Sequence, residues 1–312
     1  MNRIVISESM EAAALERFPP GIDYLYDPTL VERRQALLAS LGVAEALIVR
    51  NRTQVDRALL EAAPSLSVVG RLGVGLDNID LPACRARGVT VYPASGANKV
   101  SVAEYVIAAA LQLIRGGAYA LGPQMLAGAW PRWGAVGGEI EGRVLGLVGF
   151  GDIARSVAVR ALALGMRILA HDPYLDSDDP AWAGAQRSSL KPLLAGADIV
   201  SLHVPLTPET RHLIDATALA GMKPGAIVIN TARGGVVAEA DLAAALRAGR
   251  LGGAALDVFE EEPLSAAAAA PFAGLANVIL TPHIAGVTAE SNARVSRVTV
   301  ENVLDGLGLL DA

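Results

Sequence analysis

"VLGLVGFGDIARSVAVRALALG", residues 144 to 165, begins as an aliphatic run, turns through two glycines and continues with helical periodicity. A strand that passes through a glycine turn straight into a helix opens a mononucleotide-binding unit of a parallel sheet. Gly149 and Gly151 lack the Cβ atoms that would keep a pyrophosphate away from backbone N–H groups, and Asp152 and Ile153 begin the helix that faces it. Ala154 takes the third position of the G-x-G-x-x-G pattern, where a small residue has only to let helix and strand pack closely. The pattern alone is equally that of a tight turn, so its neighbours decide. The next aliphatic run, "RILAHDP", ends on Asp172, 23 residues after Gly149, near the spacing at which a carboxylate accepts ribose hydroxyls. That carboxylate repels a 2′-phosphate and no arginine directly follows it, so the expected cofactor is NAD rather than NADP. A turn-former before Pro173 is the alternative role for Asp172. Asp152 puts a negative charge beside the pyrophosphate, which is unhelpful unless its side chain points to solvent.

Outward from this unit, short aliphatic runs alternate with alanine- and leucine-rich amphipathic stretches, the pattern of an α/β chain with parallel sheets. "RIVIS", "ALIVR", "LSVVGR" and "VTVYP" read as strands in the first hundred residues. "VLGLVGF", "RILAHD", "ADIVSLHV", "AIVINTA", "GAALDVF" and "NVILTPH" read as six more, the strand count of a dinucleotide-binding domain. Between the two sets, "SVAEYVIAAALQLIRGG" predicts a helix, with Ser101 and Glu104 at capping-box spacing, and marks the join of two domains. The expected architecture is two doubly wound, Rossmann-like domains. Residues 1–96 with 287–312 make a discontinuous substrate domain completed by a helix from about Ser291 to Leu307, and 97–286 make the NAD-binding domain. The alanine run at 266–270 reads as a loop or a helical turn.

Composition narrows the classes. The chain has 312 residues, 52% of them hydrophobic, enough apolar surface for two cores. Acidic residues outnumber basic ones, 32 to 26, and no basic cluster appears, which disfavours nucleic-acid binding and favours small-molecule partners. One cysteine, Cys84, makes no internal disulfide, and "MNRIVISESM" lacks a signal-peptide core; with no membrane-spanning run, a cytoplasmic protein is expected. Cysteine and histidine spacing suggests no zinc or iron–sulfur site, so no metal is expected.

Three polar stretches end the later strands: "NTARGG", "LDVFEEEP" and "TPHIAG". In an open α/β sheet that edge binds ligands. Arg233 offers a fork matched to a carboxylate, Glu262 can orient an imidazole, and His283 can pass a proton. His283 ends what reads as a buried strand, where a packed core histidine is the competing reading, and for Arg233 and Glu262 a solvated surface pair competes.

With "GRLGVGLDNID", "SVAEYV", "GLVGFGDIA", "HVPLTPET", "INTARGGVV", "ALDVFEEEPL" and "TPHIAG" in order along nearly the whole chain, the sequence resembles the D-2-hydroxyacid dehydrogenase family. The resemblance implies an NAD-dependent oxidoreductase moving a hydride between nicotinamide and a D-configured 2-hydroxy acid, with Arg233 on the substrate carboxylate, Glu262 paired to His283, and His283 as proton carrier. It further implies that Thr231, Ala232 and Asp257 line the cofactor, that Val74 and Gly75 give backbone N–H groups to the carboxylate, and that His203 is structural or a cofactor neighbour. Arg50 and Arg71 match positions that hold the substrate phosphate in phosphoglycerate dehydrogenases, and Arg52 adds a cation on the same loop. A tail carrying sulfonate or phosphate is therefore expected, as in (S)-sulfolactate, whose S label describes the spatial arrangement of a D-hydroxy acid, or 3-phosphoglycerate. A hydroxypyruvate or glyoxylate reductase, with those arginines merely paired at the surface, and an NADH-sensing corepressor-like protein are the alternatives. A homodimer is implied, with Trp130 either a packed interface residue or an arm reaching the partner. The position after Gly151 is often arginine in relatives, and "RNRT" replaces a commoner arginine-serine-alanine-threonine. With the sequence ending at Ala312, feedback through the regulatory domain that some relatives carry is not expected.

Overall fold

The structure is a computed structural model describing residues 3–310; Met1, Asn2, Asp311 and the chain end at Ala312 lie outside the described residues. The chain divides into two compact units, Met1–Asn98 with Val287–Ala312, and Lys99–Gly286.

In the first unit, β1 (Arg3–Ile6), β2 (Asp23–Tyr26), β3 (Ala44–Val49), β4 (Val68–Arg71) and β5 (Thr90–Pro93) form a parallel sheet ordered β2-β1-β3-β4-β5. This is a doubly wound order, and apolar side chains fill both faces: Leu37, Leu59, Leu60 and Cys84 on one, Phe18, Val300 and Val303 on the other. β2 was not among the expected strands. Its sequence, Asp-Tyr-Leu-Tyr, is half exposed at the sheet edge and carries no aliphatic run. The helix Ala289–Gly306 begins at Thr288, whose hydroxyl accepts from Ser291 N–H at 3.0 Å. Val295, Val300, Val303 and Leu304 form its buried stripe against β4 and β5. Gly70 makes that seat possible, since a Cβ there would collide with Val303.

In the second unit, β6 (Val144–Val148), β7 (Arg167–His171), β8 (Gln186–Arg187), β9 (Ile199–Leu202), β10 (Ile227–Asn230), β11 (Gly253–Leu256) and β12 (Val278–Leu280) make a parallel sheet. Its order is β12-β11-β10-β9-β6-β7-β8, a dinucleotide-binding arrangement whose direction reverses between β6 and β9. The six expected strands are present, and a seventh, β8, is only two exposed residues long. The helices Lys99–Ile114 and Asp152–Ala163 pack together through Ala103, Val106, Ala110, Ala154, Val157 and Ala161, small residues that allow close approach. Ser101 is buried in the third position of its helix, which begins at Lys99, so the expected capping box is not its start. The alanine run is a helical turn, Ala266–Ala269, capped by Ser265. β12 corrects another expectation: it pairs only with β11, and Leu280 is 38% exposed, so the strand before His283 is a half-exposed edge. Among the described residues no helix is long and apolar enough to cross a membrane, and no cluster of metal-ligating side chains occurs.

Candidate active site

Every strand of β6, β9, β10 and β11 is buried along its length, so polar groups gather just beyond the strand ends. After β6, Gly149 turns with φ +83°, where a Cβ would lie 2.5 Å from the His203 carbonyl. The Phe150 N–H donates to Asp172 Oδ2 at 2.9 Å, and the Tyr174 N–H to Oδ1 at 3.0 Å, so the acid that ends β7 is tied to the glycine loop itself. Gly151 faces open space, and Ala154 is fully buried between helix and sheet. Asp152 opens the helix with an exposed side chain paired to Arg155 at 2.6 Å. Its charge is matched there, and an acid in the first turn also suits the helix dipole. Ile153 is half-buried beside it.

After β10, the Asn230 side chain braces the loop from both ends: Oδ1 accepts from Ala232 N–H at 3.0 Å, and Nδ2 donates to the Arg233 carbonyl at 2.9 Å. Gly234 packs so tightly on the Phe259 carbonyl that no side chain fits. Arg233 is half-buried, donates to the Ala232 carbonyl at 2.6 Å, and its charge acts on Glu262. Thr231 Oγ1 is buried with no hydrogen-bond partner among the described residues.

After β11 and β12 the acid and the imidazole meet. Glu262 Oε2 lies 2.8 Å from His283 Nδ1, and Oε1 accepts from Phe259 N–H at 3.0 Å. Burial raises the Glu262 carboxyl, but those two bonds, with the charges of His283 and Arg233, bring it below its ordinary value, so it is ionised near neutral pH. Because Nδ1 is taken, Nε2 is the nitrogen left to face a reactant. The His283 side chain is 51% exposed, which removes the packed-core reading. Its backbone has φ +55°, a region that non-glycine residues rarely occupy. Asp257 is buried beneath this loop, its oxygens accepting from Thr281 Oγ1, Ile284 N–H and Ala285 N–H. Thr281 and its neighbour Tyr105 were not singled out from the sequence; one lies in the expected loop and the other in the expected helix, with nothing local to join them. His203, after β9, contacts Ser201 Oγ at 3.0 Å, and burial lowers it to about 4, so it is neutral where the chemistry would run.

In the first unit the Glu8 carboxylate, 5% exposed, accepts from the N–H groups of Arg50, Arg52 and Thr53, fixing the loop after β3. Arg50 donates to Asn292 Oδ1 at 2.9 Å. Arg52 instead reaches Glu32 at 3.4 Å and is mostly exposed, so it does not share the surroundings of Arg50. Arg71 ends β4 and folds over Gly73, where a Cβ would strike the guanidinium; Val74 is exposed and Gly75 half-buried on the same turn.

The model of the D-isomer specific 2-hydroxyacid dehydrogenase, NAD binding domain, matches residues 107–285. The chain is 55% identical over 310 residues to an (S)-sulfolactate dehydrogenase of Chromohalobacter salexigens, covering 99% of both chains. It is 44% identical over 270 residues to the D-3-phosphoglycerate dehydrogenase of Mycobacterium tuberculosis, 86% of this chain but only 50% of that one. Among solved structures, D-lactate dehydrogenase from Aquifex aeolicus complexed with NAD and lactic acid superposes with a TM-score of 0.82 at 31% identity, over 99% of this chain and 97% of that one. The chain belongs to the D-2-hydroxyacid dehydrogenase family and is an NAD-binding oxidoreductase. The open face of Gly151, the close approach at Gly149 and the unsatisfied Thr231 hydroxyl all fit a bound dinucleotide.

Proposed function

We propose that the chain oxidises a three-carbon D-configured 2-hydroxy acid bearing an anionic group on C3, with (S)-sulfolactate foremost and 3-phosphoglycerate second. The observation that carries the chemistry is the His283–Glu262 pair at 2.8 Å, with Arg233 acting on the same acid. NAD, when bound, would supply the acceptor for the hydride that leaves C2. Gly149, Gly151, Asp152, Ile153, Asp172, Thr231, Ala232 and Asp257 are the residues assigned to hold it. Neutral His283 takes the hydroxyl proton on Nε2 while Glu262 stabilises the charge that develops on the ring. Arg233, with the N–H groups of Val74 and Gly75, holds the carboxylate and aligns C2, a task for which lysine lacks the forked geometry. Reduction of the 2-oxo acid uses the same groups in reverse.

Arg50 and Arg71 are assigned to the C3 anion. Support comes from the loop that Glu8 and Asn292 hold in place around Arg50, and from the 55% identity to a sulfolactate dehydrogenase over the whole length. A charge-assisted contact of this kind contributes on the order of 1.5 to 3 kcal/mol. Arg50→Gln therefore raises KM for sulfolactate roughly tenfold to a hundredfold and leaves that for glyoxylate unchanged. A panel of 2-hydroxy and 2-oxo acids followed at the nicotinamide absorbance checks this. Equal response of both substrates, or no turnover of either sulfolactate or phosphoglycerate, overturns the assignment of the tail.

The protein is further assigned as a cytoplasmic homodimer. Leu126, Trp130, Trp133 and Val136 are 91%, 75%, 83% and 73% exposed on one short segment, an apolar surface that a second copy would cover. Sedimentation of the wild type against a Trp130→Ser, Trp133→Ser variant tests it; a wild-type monomer refutes it.

A further inference from the structure

The hydrogen bonds behind His283 converge on one residue, Asp257. Asp257 is 1% exposed; its Oδ1 accepts from Thr281 Oγ1 at 2.6 Å and Ile284 N–H at 2.8 Å, and Oδ2 from Ala285 N–H at 2.8 Å. Its main-chain carbonyl accepts the His283 N–H at 2.8 Å. Thr281 donates to Asp257 Oδ1, so its single hydroxyl proton is committed there. The Tyr105 hydroxyl, 2.6 Å from Thr281 Oγ1, must then be the donor to it. Burial pushes the Tyr105 phenol up, so it keeps that proton at any pH at which the enzyme would work. A left-handed histidine persists only where its surroundings over-determine it. Here they do so through Asp257, which accepts from the helix Lys99–Ile114 by way of Thr281 on one side and from the main chain of His283, Ile284 and Ala285 on the other.

We propose that Tyr105 is a positioning residue for proton transfer: acting only through Thr281 and Asp257, it locks the left-handed turn that presents the His283 imidazole to the substrate. The inference rests on His283 being the proton carrier. Misplacement of that ring by a fraction of an ångström weakens interactions made in the transition state more than those made with bound substrate, so kcat carries the effect.

Four variants of the full-length enzyme test it: Tyr105→Phe, Thr281→Val, their combination, and Thr281→Ser. Tyr105→Phe lowers kcat by about three- to tenfold with KM for the hydroxy acid within about twofold, and moves the acid limb of the pH profile, because the imidazole meets Glu262 less well. Thr281→Val, which removes the hydroxyl at equal volume, has the larger effect, and Thr281→Ser restores nearly wild-type turnover. In the Thr281→Val background the tyrosine substitution adds nothing, since its only route to His283 is already cut. Additive losses, or a Tyr105→Phe enzyme with wild-type kcat and pH profile, overturn the proposal. His283→Ala measured in parallel separates the two ideas. An active His283→Ala enzyme removes the proton-carrier reading and the proposal with it, whereas an inactive one beside a normal Tyr105→Phe enzyme removes the positioning role alone.

Discussion

His203 directly follows β9 and His283 stands three residues beyond β12, so both lie at the edge of one sheet where its strands end. The first is half-buried, hydrogen-bonded to Ser201, and held unprotonated down to about 4 by burial of its ring. The second is half exposed, turned to φ +55° and aligned by Glu262. β9 is a central strand flanked by β6 and β10, whereas β12 is an edge strand, and that difference in place sets the difference in chemistry. A ring held neutral cannot cycle a proton near pH 7, whereas the ring aligned by an ionised carboxylate is the proposed proton carrier.

The largest expected effect sharpens this contrast directly. His283→Ala lowers kcat by roughly a hundredfold to ten-thousandfold with little change in NAD affinity, and steady-state kinetics with separately measured cofactor binding check it. His203→Gln should keep turnover within an order of magnitude; if it instead abolishes activity while His283→Ala does not, the two roles are exchanged.

The next effect is on stability. His203 is lowered from 6.5 to about 4 on folding, so the native state binds fewer protons than the unfolded chain between those values. Its contribution is fully present above pH 6.5 and is lost as pH falls toward 4, on the order of 3 kcal/mol at most. Denaturant titrations of wild type and His203→Gln from pH 7 to pH 4 should show the wild type losing more. Parallel curves would break the comparison.

Glu262→Gln has a smaller effect. The carboxyl lies below its ordinary range despite burial, because His283 and Phe259 bind its charged form, so its charge is present throughout neutral pH. Without that charge the imidazolium form of the pair is less favoured, and the acid limb for oxidation moves to lower pH while reduction falls off earlier as pH rises. An unmoved profile would mean that Glu262 only orients the ring. The smallest effect belongs to the carboxylate after β7: Asp172→Ala should narrow the preference for NADH over NADPH, measured as the ratio of kcat/KM values, without reversing it.

Much of this chain was legible before its fold was known. The glycine turn at 149–151, the acid at 172 and the alternation of apolar runs are local patterns, each set by steric or hydrogen-bonding demands within a few residues. The edge strands β2 and β8 were not legible, because a strand that buries little needs no aliphatic run to mark it. Ser101 misled for a related reason: capping-box spacing also occurs inside a helix, and burial rather than spacing placed it there.

The amino-acid sequence by itself determined the parallel α/β class, the dinucleotide loop with its acid, and the types of side chain available where the strands end, since each follows from periodicity or from chemistry confined to a short segment. Only the tertiary structure decided which of those side chains meet. Tyr105 and Thr281 are 176 residues apart, and Glu262 and His283 lie in the loops that follow adjacent strands of the sheet. Periodicity reports which face of an element is buried, but not which distant hydroxyl or carboxylate packs against it. A hydrogen bond of 2.6 Å exists only once packing has brought both partners within reach.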